Sequence, residues 1–306
     1  MSPTLRVGTR GSALALAQAN TVIAALRSHS PGHEFVVETI SSTGDEQADA
    51  PLASLGIGVF TKAIELALLD GRIDVAVHSL KDLPTDTPEG LTVVPVLERE
   101  DPRDVLVDRW SQSLLELPAD ARIGTSSPRR VAQLRHGRGD VQFVPIRGNV
   151  ETRLHKAQGP DYDGAVLAAA GVKRLGLSES ITEYLSPHLC APAPGQACLA
   201  MEVRTSDVDT LELARHLVHG PSAAAVEAER AILRAAGGGC QLPLGALAKV
   251  EGATMRLFAT VTPIDGSASY RVEVTGDPAE PEMLGKAAYL ELVSQGAAKL
   301  LVGESR

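Results

Sequence analysis

Asp74-Val75-Ala76-Val77-His78-Ser79-Leu80-Lys81-Asp82 is the stretch on which the fold turns. Asp74 to His78 centres on a short, valine-rich apolar run, the pattern of a strand buried on both faces. It ends abruptly in polar and charged residues. Just upstream, Phe60–Leu69 has helical periodicity and is stopped by Asp70-Gly71. Further back, Phe35–Ser41 alternates as a strand, and an alanine-rich helix covers about Ala13 to Arg27. Leu5–Gly8 is a strand that runs into Thr9-Arg10-Gly11-Ser12. Strands and helices in this order predict a largely parallel sheet covered by helices. Ligands of such sheets collect beyond the carboxyl ends of the strands.

Downstream, the charged run Glu98-Arg-Glu-Asp-Pro-Arg-Asp104 suits a crossing between domains. A second α/β unit follows, with strands at Ala121–Gly124, Val141–Ile146 and Gly164–Ala169 and helices from Pro128 and Val150. Ala191-Pro-Ala-Pro-Gly195 is the expected return crossing. From about Ser222 the character changes to an alanine-rich helix, a glycine–cysteine loop, strands between Ala246 and Val274, and a final helix over Pro281–Leu301. The expected division is 1–98 with 198–216, then 103–192, then 220–306. The predicted class is α/β, two lobes with mainly parallel sheets plus a smaller C-terminal α+β domain.

At 306 residues the chain has room for two or three domains. A hydrophobic fraction of 44% with 22% charged residues is that of a globular protein without membrane spans. Only 3% of residues are aromatic and the net charge is −9. Both disfavour nucleic acid, which asks for a basic face and stacking platforms. Cys190, Cys198 and Cys240 make an odd count with no metal-ligand spacing, which points to a reducing, cytoplasmic setting and no metal. The N-terminus shows no signal-peptide pattern.

Basic residues recur where predicted strands give way to helices: Arg10, Lys81, Arg129, Arg130, Arg147 and Arg174, with Arg153 on the helix beyond Arg147. Ser12, Thr125, Ser126 and Ser127 accompany them. Helix starts offer free N–H groups to anions, and guanidinium forks match carboxylates. One such arginine is a surface residue by default; several on the ligand side of one architecture predict a cleft for a polyanion. No Walker-type loop is present, so several carboxylates fit better than phosphates. Asp82, beside Lys81, is placed to accept from an N–H donor and to stabilise a developing cation. Read alone, it serves equally as a helix cap or a salt-bridge partner. His78 and Ser79 are adjacent in a strand and point to opposite faces, so they make no nucleophilic pair. Cys240 ends the run Gly237-Gly238-Gly239-Cys240, where glycine backbone freedom suits a thiol carrying a bulky group. Its plain alternative is a small buried hydrophobe.

These residues fall in motifs that resemble the porphobilinogen deaminase family over nearly the whole chain. They are Arg6-Val-Gly-Thr-Arg-Gly-Ser12, His78-Ser-Leu-Lys-Asp-Leu-Pro-Thr85, Glu100-Asp-Pro-Arg-Asp104 and Ile123-Gly-Thr-Ser-Ser-Pro-Arg-Arg130. Ile146-Arg-Gly-Asn-Val-Glu-Thr-Arg153, Leu167-Ala-Ala-Ala-Gly171-Val-Lys-Arg-Leu-Gly176 and Gly238-Gly-Cys-Gln-Leu-Pro-Leu-Gly245 complete the set. The resemblance implies two periplasmic-binding-protein-like lobes and a third, smaller domain. It implies a transferase that joins four porphobilinogen molecules head to tail into hydroxymethylbilane and releases four ammonia. The implied cofactor is one dipyrromethane per chain, tethered by a thioether to Cys240.

On this resemblance Asp82 is the catalytic aspartate, which hydrogen-bonds pyrrole N–H groups and stabilises the cation left by ammonia. Lys81, Ser127, Arg129, Arg130, Gly171 and Arg174 join Cys240 in holding the cofactor. Arg10, Ser12, Phe60, Thr125, Ser126, Arg147, Arg153 and Gln196 hold substrate. The expected partners are porphobilinogen and uroporphyrinogen III synthase, which takes the product; the chain is expected to be a monomer. Four positions depart from the family. Ile57 stands where a loop lysine is usual, Ala197 and Cys198 follow Gly195-Gln196 where Gly-Ala is usual, and Pro128 replaces a leucine. A two-lobed carboxylate receptor would explain the arginines but not Cys240; a paralogue acting on a related pyrrole would explain both.

Overall fold

The computed structural model describes residues 4–41, 61–238 and 242–301. Ile57, Phe60 and Cys240 lie outside them. The chain divides into two compact units, Met1–Glu100 with Cys198–Ala223, and Asp101–Ala197 with Ala224–Arg306.

The first unit holds β1 (Thr4–Thr9), α1 (Ala13–His29), β2 (Glu34–Thr39), α2 (Lys62–Leu69), β3 (Val75–Ser79) and β4 (Leu91–Val96). The strand β10 (Leu199–Arg204) returns to it after the excursion through the second unit. The sheet order is β2-β1-β3-β10-β4. β1 pairs in parallel with β2 and β3, while β10 runs antiparallel to both β3 and β4. Four strands therefore run one way and the returning strand runs against them. Val75 and Val77 face the α1 side with Val7, Val22, Leu26 and Met201. Ala76 faces α2 with Ile64, Ala67 and Leu68. This double burial explains the unbroken apolar run of β3.

The second unit repeats the plan. It contains β5 (Asp104–Asp108), β6 (Arg122–Gly124), α3 (Pro128–Gly137), β7 (Gln142–Val144), α4 (Val150–Ala157), β8 (Gly164–Ala168), α5 (Ala169–Arg174) and β9 (Glu183–Tyr184). Their order is β7-β6-β8-β5-β9, with β5 the one reversed strand. Leu106, Ile123 and Val166 pack with Leu134 of α3 on one face. Val105, Ala165 and Leu167 pack with Ala157 of α4 and Val172 of α5 on the other. Pro128 opens α3 as its first residue, where a missing N–H costs nothing, and Ser127 caps it.

The same unit carries an antiparallel sheet of β11 (Leu244–Glu251), β12 (Thr254–Val261) and β13 (Tyr270–Gly276). It buries Leu257 and Ala259 against Ile232 of α7 (Gly220–Ala235) and Ala288 and Leu292 of α8 (Pro281–Leu292). (The helix between β10 and α7, Val208–His216, is α6.) The single final helix expected over Pro281–Leu301 is broken: Gly296 has a φ of 105°, outside helical space. Glu229 of α7, 0% exposed, accepts from the backbone N–H of Gly195 and of Ala248, each at 2.8 Å. One carboxylate thus ties the return crossing to the C-terminal sheet.

α7 and α8 cross closely at Gly285. A Cβ there would press on the Ala228 carbonyl oxygen and lie 2.5 Å from Ala231 Cβ. Gly285→Ala is expected to cost about 1–3 kcal/mol by overpacking. The reading is a lower urea midpoint at unchanged slope; an unchanged midpoint would show that the helices part freely.

Candidate active site

β1 and β3 are parallel neighbours, so their carboxyl ends lie side by side. The segments leaving these two ends meet in one pocket, lined among others by Arg10, Ser12, Gln18, Thr61, His78 and Asp82. Ser12 caps α1, accepting from the Ala15 N–H at 3.3 Å. Gln18 of α1 donates to Ser79 at 2.8 Å. Leu80 to Asp82 forms a single 3-10 turn. Buried Leu80, whose N–H donates to the Cys198 carbonyl at 2.9 Å, anchors that turn. Lys81 is half-buried and Asp82 exposed, so the carboxylate is presented to the pocket by a turn fixed at its base.

In the second unit the expected binding residues lie beyond β6, β7 and β8. Thr125 is buried. Ser126 donates to the Ile146 carbonyl at 2.7 Å and accepts from its N–H at 3.1 Å, closing the loop after β6 onto the end of β7. Ser127 accepts from the Arg130 N–H at 3.4 Å. Arg147 and Arg153 are half-buried; Arg153 donates to the Gly148 carbonyl at 2.8 Å. Gly171 is buried within α5, and Arg174 at its end donates to the Ala197 carbonyl at 2.7 Å. That contact places Arg174 on the return crossing.

Arg129 and Arg130, expected to hold cofactor, and Gln196, expected to hold substrate, gather around an internal carboxylate. Arg129 is 5% exposed, Arg130 6% and Gln196 1%, and all three converge on Asp104, which is 0% exposed. Arg129 Nη2 lies 2.8 Å from Asp104 Oδ2, and Arg130 Nη2 donates to Oδ1 at 2.7 Å. Gln196 donates to Oδ1 at 2.8 Å and to the Pro102 carbonyl at 2.7 Å. The Cys190 thiol donates to Oδ2 at 3.3 Å. Arg129 also donates to the Ala191 carbonyl and Arg130 to that of Val166. The carboxylate that these two arginines hold is the protein's own, while Arg130 Nε is buried without a hydrogen-bond partner among the described residues. Burial alone would raise the Asp104 pKa; the charges of Arg129 and Arg130 and the hydrogen bonds from Arg130 and Gln196 outweigh it and hold it well below the carboxylate range. Burial, reinforced by the Asp104 charge, pushes the Cys190 thiol up to about 12, so it is no nucleophile.

Sequence reasoning places Asp104 in a charged crossing between domains and misses it as the centre of this cluster. The available signal is its position directly before Val105-Leu106-Val107, an apolar run that draws its first residue inward. Among the described residues no group of three or more His, Cys, Asp or Glu could hold a metal ion. No helix among them is long and apolar enough to cross a membrane.

The pattern named "Porphobilinogen deaminase, dipyromethane cofactor binding domain" matches residues 5–212, and that of the "Porphobilinogen deaminase, C-terminal domain" matches 223–294. The chain belongs to the porphobilinogen deaminase family. The porphobilinogen deaminase of Syntrophomonas wolfei is 48% identical over 97% of this chain and 97% of its own. That of Desulforudis audaxviator is 47% identical over 96% of each. Among solved structures, the regulatory domain of MexT, a transcriptional activator in Pseudomonas aeruginosa, aligns at 14% identity and TM-score 0.44 over 71% of this chain and 96% of that one. Porphobilinogen deaminases polymerise porphobilinogen in tetrapyrrole biosynthesis on a dipyrromethane cofactor, and membership brings that chemistry to this chain. The donor set suits such a group: a dipyrrole bears several carboxylates, and Arg147, Arg153 and Arg174 are half-buried guanidiniums beyond strand ends.

Proposed function

We propose that the chain joins four porphobilinogen molecules head to tail into hydroxymethylbilane, releasing four ammonia, from a dipyrromethane held by a thioether to Cys240. The observation that carries this is the pocket in which exposed Asp82 is set beside Arg10 and Ser12. A carboxylate for developing positive charge and a guanidinium for substrate carboxylates are what a pyrrole acid bearing an aminomethyl group requires. When bound, the dipyrromethane supplies the pyrrole α-carbon to which the first unit is joined.

Asp82 accepts from pyrrole N–H groups and stabilises the cation left as ammonia departs. Arg10 and Ser12 take acetate and propionate groups in the first unit; Lys81 adds positive charge beside Asp82. Arg147, Arg153 and Arg174, with the Thr125-Ser126-Ser127 loop, take those in the second. Gly171 leaves room for close approach of a ring, and Phe60 stacks on pyrrole, in line with the family pattern. Arg129, Arg130 and Gln196 act by holding Asp104 and so the shape of the loops around them. A three-domain organisation, with 220–306 as the third, agrees with the separate apolar core of the C-terminal sheet. The protein works as a cytoplasmic monomer and hands its product to uroporphyrinogen III synthase; the buried Cys190 thiol suits a reducing compartment.

Intact-mass measurement tests the reading. The purified chain is expected to exceed its sequence mass by two linked pyrroles, and Cys240→Ser to lose that excess together with turnover. An active chain at bare sequence mass would overturn the tether.

A further inference from the structure

His78 and Glu202 take no part in binding carboxylates, yet they sit behind the Asp82 pocket. His78 lines that pocket from β3 and is 6% exposed. Glu202, on the neighbouring strand β10, is 0% exposed, and its Oε2 lies 3.2 Å from His78 Nε2. In the antiparallel register Glu202 is opposite Ala76 and Ala200 opposite His78, which puts the pair on one face of the sheet. The approach is close but off-axis. Neither His78 Nε2 nor either Glu202 oxygen has a hydrogen-bond partner among the described residues. Thr61 Oγ1, also buried and lining the pocket, lacks one too. Buried polar atoms left in this state cost about 1–3 kcal/mol each. Packing gives no reason to keep several together beside a reactive pocket.

We propose that His78, backed by Glu202, accepts the proton that each condensation removes from carbon; this rests on the reaction proposed above. The aminomethyl group reacts in its ammonium form: ammonia leaves with the C–N electron pair, and the methylene carbon becomes cationic. The α-carbon of the receiving pyrrole gives an electron pair to form the new C–C bond. That ring regains aromaticity only when its α C–H bond breaks, the electrons returning to the ring and the proton passing to a base. Asp82 is poorly suited to be that base, because a proton on it cancels the charge that stabilises the next cation. An imidazole is the common acceptor for such a proton. With Nε2 turned to Glu202, Nδ1 is the nitrogen left to accept, and the buried carboxylate stabilises the imidazolium that forms. The imidazolium then passes its proton to the released ammonia, so each cycle yields ammonium and restores the pair.

The test uses the cofactor-loaded protein and porphobilinogen deuterated at its free α-carbon. Once added, each of the first three labelled units becomes the receiving ring for the next and must break a C–D bond. His78→Gln is expected to carry the same excess mass as the wild type, with kcat lower by about 10²-fold and KM little changed. Deuterium slows the variant more than the wild type, and added imidazole restores part of the rate. Glu202→Gln, nearly isosteric, keeps the imidazole but not its counter-charge; it is expected to show a smaller loss with the same deuterium sensitivity, and it carries the test if His78→Gln does not fold. Normal kcat in either folded variant, or a loss with neither deuterium sensitivity nor imidazole rescue, would overturn the proposal and leave the pair as a staple between strands. A wild type with no excess mass and no porphobilinogen consumption would instead remove the underlying reaction.

Discussion

Asp82→Ala is expected to fold, to carry the dipyrromethane and to lose about 10²–10³-fold in kcat, the usual loss when a preorganised electrostatic group is removed. The turn that presents Asp82 is anchored by Leu80, through its burial and its N–H bond to Cys198, and neither depends on the Asp82 side chain. Exposed Asp82 contributes little to the core, so stability should hardly move. Asp82→Asn separates two roles. It retains an acceptor for pyrrole N–H but not the charge, so a loss close to that of alanine assigns the effect to the cation. Steady-state kinetics on protein of verified mass reads both. Near-normal turnover in Asp82→Ala would refute its part in the chemistry.

Asp104→Asn is expected to destabilise the second unit by about 3–5 kcal/mol, the cost of leaving buried charge uncompensated. Asn has nearly the shape of Asp, so the loss is electrostatic: the Arg129 and Arg130 guanidiniums, 5% and 6% exposed, keep their charges and lose their counter-ion. Adding Arg130→Met to Asp104→Asn should recover part of the loss, because one orphaned charge goes with it. The pH dependence is set by the direction of the Asp104 shift. Its folded-state pKa is depressed, so its contribution is complete above the ordinary carboxylate value near ~3.9 and is lost as pH falls from there through the lower folded value. Urea midpoints of the wild type should therefore fall through this acid window, and those of Asp104→Asn should fall less. A variant as stable as the wild type at neutral pH would show that the cluster is not what holds these loops.

How legible each feature is in the sequence depends on how far it rests on distant residues. β3 is legible because its burial on both faces is written in Val75-Ala76-Val77 itself. The start of α3 is legible from Ser127-Pro128, a cap and a first-turn proline. The direction of Arg129 and Arg130 is not, because it is decided by Asp104 on another strand and by Ala191 and Gln196 on the return crossing. Helix-start arginines look the same in sequence whether they meet a ligand or an internal carboxylate. Strand parity excludes a nucleophilic pair of His78 with Ser79. That parity holds, with Ser79 bonded to Gln18 and His78 beside Glu202. What the local sequence cannot reveal is the partner on β10. The reversed direction of β10 and β5 is equally hidden, since a strand's own residues do not record which way its neighbours run.

The position of β10 decides the order in which the two sheets can be finished on the ribosome. Every strand of the second α/β sheet lies between Asp104 and Tyr184, a continuous stretch. The first sheet needs Leu199–Arg204 in its interior, between β3 and β4, and β4 pairs there with β10. As the chain emerges from its N-terminus, the later sheet has all of its strands before the earlier one does. Until residue 204 is made, β3 and β4 present bare edges, the kind that pairs with other chains. The nascent protein must therefore hold its own first half unfinished while the second half closes.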